Sequence, residues 1–159
     1  MIKITIIALG KLKEKYLKDA VEEYKKRLTR YCKLEIAEIE PVKLPEKPTQ
    51  TEIDSALDRE AAEIFKRIPS GSEIFSLCIE GNEMPSVAFA RTVSERLDMG
   101  KNISFIIGSS YGLSQKVKDK SHVRLSMSQM TFPHQLFRVM LLEQIYRAFK
   151  IDEGSAYHK

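Results

Sequence analysis

Apolar residues recur along this chain in two alternating rhythms. Residues 2–9 form a short, β-branched apolar run that ends at Gly10, the signature of a buried strand. Leu12, Tyr16, Leu17, Ala20, Val21, Tyr24, Leu28 and Tyr31 then return at three- and four-residue steps. That spacing predicts an amphipathic helix with lysines on its outer face. Residues 34–39 alternate as a second strand, and Pro41, Pro45 and Pro48 make the following stretch a loop. Ile53, Leu57, Ala61, Ile64, Phe65 and Ile68 mark a second helix closed by Pro69 and Gly71. A third strand (74–79), a third helix (87–97, closed at Gly100), a fourth strand (103–107) and a short helix (113–117) come next. A short fifth strand (123–126) and a last helix (134–149) complete the pattern. Strands alternating with helices point to an α/β fold, a mostly parallel sheet flanked by helices on both faces.

The last helix departs from the amphipathic rule. Leu136, Val139 and Met140 form one apolar stripe, Phe137, Leu141, Ile145 and Phe149 another, and its polar residues do not gather on one side. A surface helix of a monomer presents one polar face. One stripe is therefore expected on the sheet and the other on a twofold mate, as in an isologous homodimer. The alternative is a helix buried within one subunit.

Composition narrows the class. At 159 residues, 43% hydrophobic and 30% charged, the sequence reads as one globular domain over 1–159. No apolar run approaches the roughly 20 residues of a membrane helix. The first residues place the apolar run before the lysines, the reverse of an export signal. Cys32 and Cys78 fit no metal spacing and read as reduced thiols, so a cytoplasmic protein is expected. The net charge of +4 is unevenly spread: residues 1–33 hold ten Lys/Arg against four acids, leaving the remainder net negative. The first helix is thus either an electrostatic footprint for nucleic acid, with Lys18 and Lys25 prominent, or a solvated face.

Candidate chemistry collects in three loops that directly follow strands: residues 77–82, 108–113 and 127–133. In open α/β sheets the ligand crevice lies outside the carboxyl ends of the strands, so all three should share one edge. Each alone also suits an ordinary turn. Gly108 and Gly112 lack the Lys-Ser/Thr ending of a phosphate loop and the spacing of a dinucleotide fingerprint. The sequence carries no metal signature: His122, His134 and His158 share no helix face. His122 is expected to be structural or exposed, and His134 either caps the last helix or contacts a ligand. The chain ends on Tyr157-His158-Lys159, an aromatic, an imidazole and a cation where termini are usually featureless.

These residues meet a known family. The chain resembles the RlmH (YbeA-like) methyltransferases of the SPOUT superfamily over essentially its full length. The resemblance rests on Lys3-Ile4, Leu77 and Gly81, Ile107-Gly108 with Gly112-Leu113, and Ser128 through Pro133-His134. Arg138, Glu143, Tyr146-Arg147-Ala148 and the terminal Tyr157-His158-Lys159 complete it. The resemblance implies a SPOUT-like α/β fold with a C-terminal trefoil knot, a rare exception to unknotted chains. It also implies a homodimer that binds S-adenosylmethionine in the knot loops and methylates N3 of a pseudouridine in 23S rRNA on the assembled ribosome. By position, the implied cofactor contacts are Leu77, Gly108, Met127, Ser128, Gln129, Met130, Thr131 and Phe132. The family often has an acidic residue where Cys78 stands, a lysine at Asn82 and a second glycine at Ser109, which questions polar side-chain contacts at 78 and 82.

The implied reaction needs an imide proton removed. His158 is the switchable group for that step, Tyr157 would stack on or orient the base, and Arg138 would bind RNA or stabilise a developing imidate. Arg147 and Lys159 would hold phosphate, with Lys18 and Lys25 supplying longer-range attraction. Two other readings stay open: a non-catalytic α/β nucleotide-binding module, and a knotted methyltransferase acting on tRNA or protein.

Overall fold

The structure of the chain, a computed structural model, describes residues 1–158; the His158 side chain and Lys159 fall outside it. Five strands, β1 (Lys3–Leu9), β2 (Lys33–Ile39), β3 (Glu73–Asn82), β4 (Ile103–Ile107) and β5 (Val123–Leu125), form one sheet in the order β2-β1-β4-β3-β5. Every pairing among them is parallel. Five α-helices separate and follow them: α1 (Lys15–Leu28), α2 (Gln50–Arg67), α3 (Ser86–Asp98), α4 (Gln115–Lys120) and α5 (His134–Asp152).

The central strands are apolar on both sides because both faces are covered. Ile4, Ile6 and Ala8 of β1 and Ile103, Phe105 and Ile107 of β4 point into a core shared with α1, α3 and α5. The intervening Ile7, Leu9 and Ile106 point into a second core with Ala61 and Ile64 of α2 and Val117 of α4. Phe75 on β3 meets Phe105 edge-on at 5.1 Å, locking the register of the β3–β4 pair.

The boundaries differ from the periodic pattern at three places. β3 runs on to Asn82 because Asn82 rejoins Leu125 of β5 after an irregularity, a tertiary pairing that the strand-poor Glu80-Gly81-Asn82 does not announce. Gly81 is where the chains pass closest: a Cβ there would lie 2.8 Å from the Leu125 carbonyl carbon. The fourth helix starts at Gln115 because the Ser114 side chain accepts the Lys116 N–H and caps it. Leu113, expected inside that helix, instead fills the core on the α2 side. α2 begins with a full capping box between Thr49 and Glu52.

α5 lies between α1 and α3 and packs on both. Its Leu141, Leu142, Ile145 and Ala148 are buried in the core, and no position from 134 to 151 is classed as exposed. The two expected stripes split: Val139 packs on the core while Leu136 and Met140 stay half-buried. No helix among the described residues is long and apolar enough to cross a membrane.

Candidate active site

The three loops come together at the carboxyl edge of β3, β4 and β5, where parallel strands leave a crevice. They enclose a cavity of about 140 Å³. Its floor is apolar, made by Leu77, Ile107 and Leu125 at the strand ends, with Ile79, Phe132 and Phe137 as walls. Its remaining lining is small and polar: Cys78, Ser109, Ser110, Ser126, Ser128 and Thr131, with the backbone of Gly108 and Gly112. Among the described residues, no Asp, Glu, Lys or Arg lines it. Burial also lowers the His134 pKa, which favours the neutral ring. A neutral slot with an apolar floor and free backbone edges suits a flat heteroaromatic group, gripped on its faces and read along its edge.

Local bonds fix the loop shapes. The Ser126 hydroxyl donates to the Ser128 carbonyl at 3.2 Å, and the Met130 N–H donates to Ser128 Oγ at 2.9 Å. Phe132 meets Phe137 of α5 edge-on at 5.6 Å, pinning the last loop to the helix. The Gly108 loop is closed by the Gly112 N–H donating to the Ser109 carbonyl at 2.9 Å. Two carboxylates of α2 stand beside that loop. Asp58 accepts from the Ser114 hydroxyl at 2.7 Å, and the buried Glu60, which accepts the Val42 N–H at 3.0 Å, lines the adjoining cleft with Ser109.

Of the eight residues expected at a cofactor, Leu77, Gly108, Met127, Ser128, Thr131 and Phe132 line the cavity. Gln129 faces a separate shallow depression beside Ile79 and Asn82. Met130 is 72% exposed and lines neither. His134 lines the cavity, while Pro133 takes the N-cap position of α5 without a side-chain cap bond. His122 is structural: its Nδ1 accepts the Ile74 N–H at 2.9 Å.

The remaining candidates lie elsewhere. Arg138 is only 4% exposed; it pairs with Glu38 at 2.7 Å and donates to the Gly10 carbonyl at 3.2 Å. It sits on the floor of a second cleft that adjoins the cavity. Tyr157 packs back on α5, its hydroxyl donating to Glu143 at 3.1 Å and its ring meeting Tyr146 edge-on at 5.1 Å. The Arg147 guanidinium lies 5.0 Å from the centre of the Tyr157 ring and also pairs with Glu143 at 2.6 Å. Glu143 stands nine residues beyond His134, about 14 Å along the helix at roughly 1.5 Å per residue. Tyr157 is therefore docked well away from the cavity of its own chain. The expected roles of His158 and Lys159 fall outside the described atoms. On α1, Lys25 pairs with Glu22 at 3.0 Å, and exposed Lys18 shares a groove with Lys11, Lys25 and Arg138.

Sequence reasoning missed Glu60, Phe137 as a cavity wall, and the second cleft. Glu60 left a readable signal: a carboxylate between Ala56 and Ile64 on the buried face of α2. Phe137 follows the apolar rhythm of α5 and carries no signal of its own.

The chain is 55% identical over 157 residues to "Putative ribosomal RNA large subunit methyltransferase H" of Methanococcus vannielii, covering 98% of this chain and 99% of that one. It is 50% identical, with the same coverage, to "Ribosomal RNA large subunit methyltransferase H" of Clostridium tetani. A distant likeness, 10% identical with a TM-score of 0.48, covers 97% of this chain and 61% of the SpoU methyltransferase AviRb of Streptomyces viridochromogenes. The family model described as "Predicted SPOUT methyltransferase" matches residues 2–158, from the first strand to the docked tail. With a parallel sheet, a loop-lined crevice on the carboxyl edge and relatives matched end to end, the chain belongs to the SPOUT methyltransferase family.

Proposed function

We propose that this protein transfers a methyl group from S-adenosylmethionine to N3 of a pseudouridine in 23S rRNA on the assembled ribosome, as a homodimer in the cytoplasm. The observation that carries this reading is the neutral cavity built by three loops at one sheet edge in a chain of this family. The names of relatives about 50% identical over their full length support a large-subunit rRNA substrate.

Leu77, Gly108, Met127, Ser128, Thr131 and Phe132 would hold the cofactor, with the adenine on the apolar floor. When bound, S-adenosylmethionine supplies an electrophilic methyl on a sulfonium. Transfer would require the acceptor nitrogen to be held in line with that methyl and its imide proton to be taken up by a base of the protein. The chain's contribution is alignment and exclusion of water, which in favourable systems supplies on the order of 7–11 kcal/mol. The imide proton is assigned to His158, with Tyr157 orienting the base and Arg138 steadying the charge that develops. Because Tyr157 docks beside Glu143 and not at its own cavity, the tail is read as serving the cavity of the twofold mate, with Leu136 and Met140 on the dimer face. The C-terminal segment that supplies residues 127–133 is read as threaded into a trefoil knot. Lys18, Lys25, Arg147 and Lys159 would meet RNA phosphates.

The test is transfer of labelled methyl from S-adenosylmethionine to ribosomes, free rRNA and tRNA assayed side by side. Label in the large-subunit rRNA of ribosomes is expected. Label in tRNA alone, or in none of the three, would overturn the reading.

A further inference from the structure

Next to the cavity lies a larger open cleft of about 770 Å³. The two share walls: Ile107, Ser109, Ser110 and His134 line both. The two openings therefore adjoin along these four residues.

The cleft brings together basic, acidic and aromatic groups from three loops. Lys11 and Lys13, in the loop after β1, stand on one wall. Glu40 and Glu46, in the loop after β2, stand on another. Tyr111, in the loop after β4 on the other side of the lysine loop, lines the cleft and is left 47% exposed. The floor holds Arg138, 4% exposed, whose buried Nε has no hydrogen-bond partner among the described residues.

We propose that this cleft takes the acceptor nucleotide of the RNA, its base stacked on Tyr111 and its phosphates on Lys11 and Lys13. The inference rests on the methyltransferase reading of the adjoining cavity. A nucleotide matches these groups: its phosphates suit the lysines and its flat base suits the exposed ring. The cleft volume lies within the roughly 300–1,000 Å³ range of ligand sites. The shared wall would bring the base edge to the methyl donor without a large movement of the sheet.

The test measures ribosome kcat/KM at saturating labelled S-adenosylmethionine, with cofactor Kd measured separately. Tyr111→Ala should lower kcat/KM by about ten- to hundredfold, mainly through KM, the scale of one lost base–aromatic stack. Tyr111→Phe should restore it, since the stack needs the ring and not the hydroxyl. Cofactor Kd should stay within about twofold. The double variant Lys11→Glu, Lys13→Glu should lower kcat/KM further at low salt and flatten its salt dependence. An unchanged kcat/KM in Tyr111→Ala, or a loss matched by an equal loss of cofactor affinity, would overturn the cleft assignment. If the wild-type chain transfers no methyl to ribosomes, the functional reading itself fails. The cleft is then judged by anisotropy with a uridine-rich RNA hairpin, where equal binding by wild type and Tyr111→Ala would overturn it.

Discussion

Replacing Gly108 by alanine tests whether the cavity depends on one close backbone approach. A Cβ at Gly108 would lie 2.6 Å from the Gly112 carbonyl carbon, closer still to its oxygen, and 3.0 Å from Leu113 Cγ. Ordinary contact begins at 3.4 Å, so the loop must retreat by most of an ångström. It has little room. The Gly112 N–H is tied to the Ser109 carbonyl at 2.9 Å, and Leu113, 5% exposed, fills the core beside Ile7 and Ile106. Overpacking of this kind costs about 1–3 kcal/mol. At roughly 2–4 °C per kcal/mol for a chain of this size, Tm should fall by about 2–12 °C. The displaced wall should also weaken S-adenosylmethionine by about tenfold or more, as read by calorimetric titration. Thr49→Ala is the control: it removes the cap of α2, costs about 1 kcal/mol, and should leave cofactor affinity unchanged. Wild-type affinity in Gly108→Ala would refute the claim that this loop's packing shapes the site.

Three further outcomes are expected. Deleting residues 157–159 should leave cofactor binding intact while methyl transfer falls by about 10²–10⁴; unchanged turnover would rule out a catalytic tail. Burial lowers the His134 pKa from 6.5, so the fold favours the neutral ring. Its contribution to stability is complete above the unfolded value and is lost as pH falls through the lowered folded one. Urea unfolding from neutral pH downward should therefore show a stability loss that His134→Gln abolishes, and identical pH profiles would contradict the assignment. Glu38→Ala should cost more stability than Arg138→Leu, by about 1–2 kcal/mol, because it strands a buried cation, whereas the reverse change leaves a carboxylate already 38% exposed. Equal losses in urea melts would show that the pair is not what holds Arg138.

The fold was legible because its signals are local. Each strand face and helix stripe follows from period: Ile4, Ile6 and Ala8 to one side of β1, Ile7 and Leu9 to the other. Loop placement was legible too, since parallel strands put their carboxyl ends on one edge. What escaped depended on pairings distant in sequence. The extension of β3 rests on Asn82 meeting Leu125, and the position of Arg138 on Glu38, a residue a hundred positions earlier. The two stripes of α5 were visible, but periodicity does not say that Phe137 turns to the cavity while Leu141 and Ile145 enter the core. Tyr157 was singled out as a site element from its chemistry, and its docking against Glu143 and Tyr146 could not be read from composition.

The most direct test of the account is nucleoside analysis of ribosomes after incubation with the protein and isotopically labelled S-adenosylmethionine. The account predicts label in a single nucleoside of large-subunit rRNA, with the mass and fragmentation of a pseudouridine methylated at N3. Label in a different nucleoside, or rRNA left unlabelled beside a control methyltransferase that works, would contradict it.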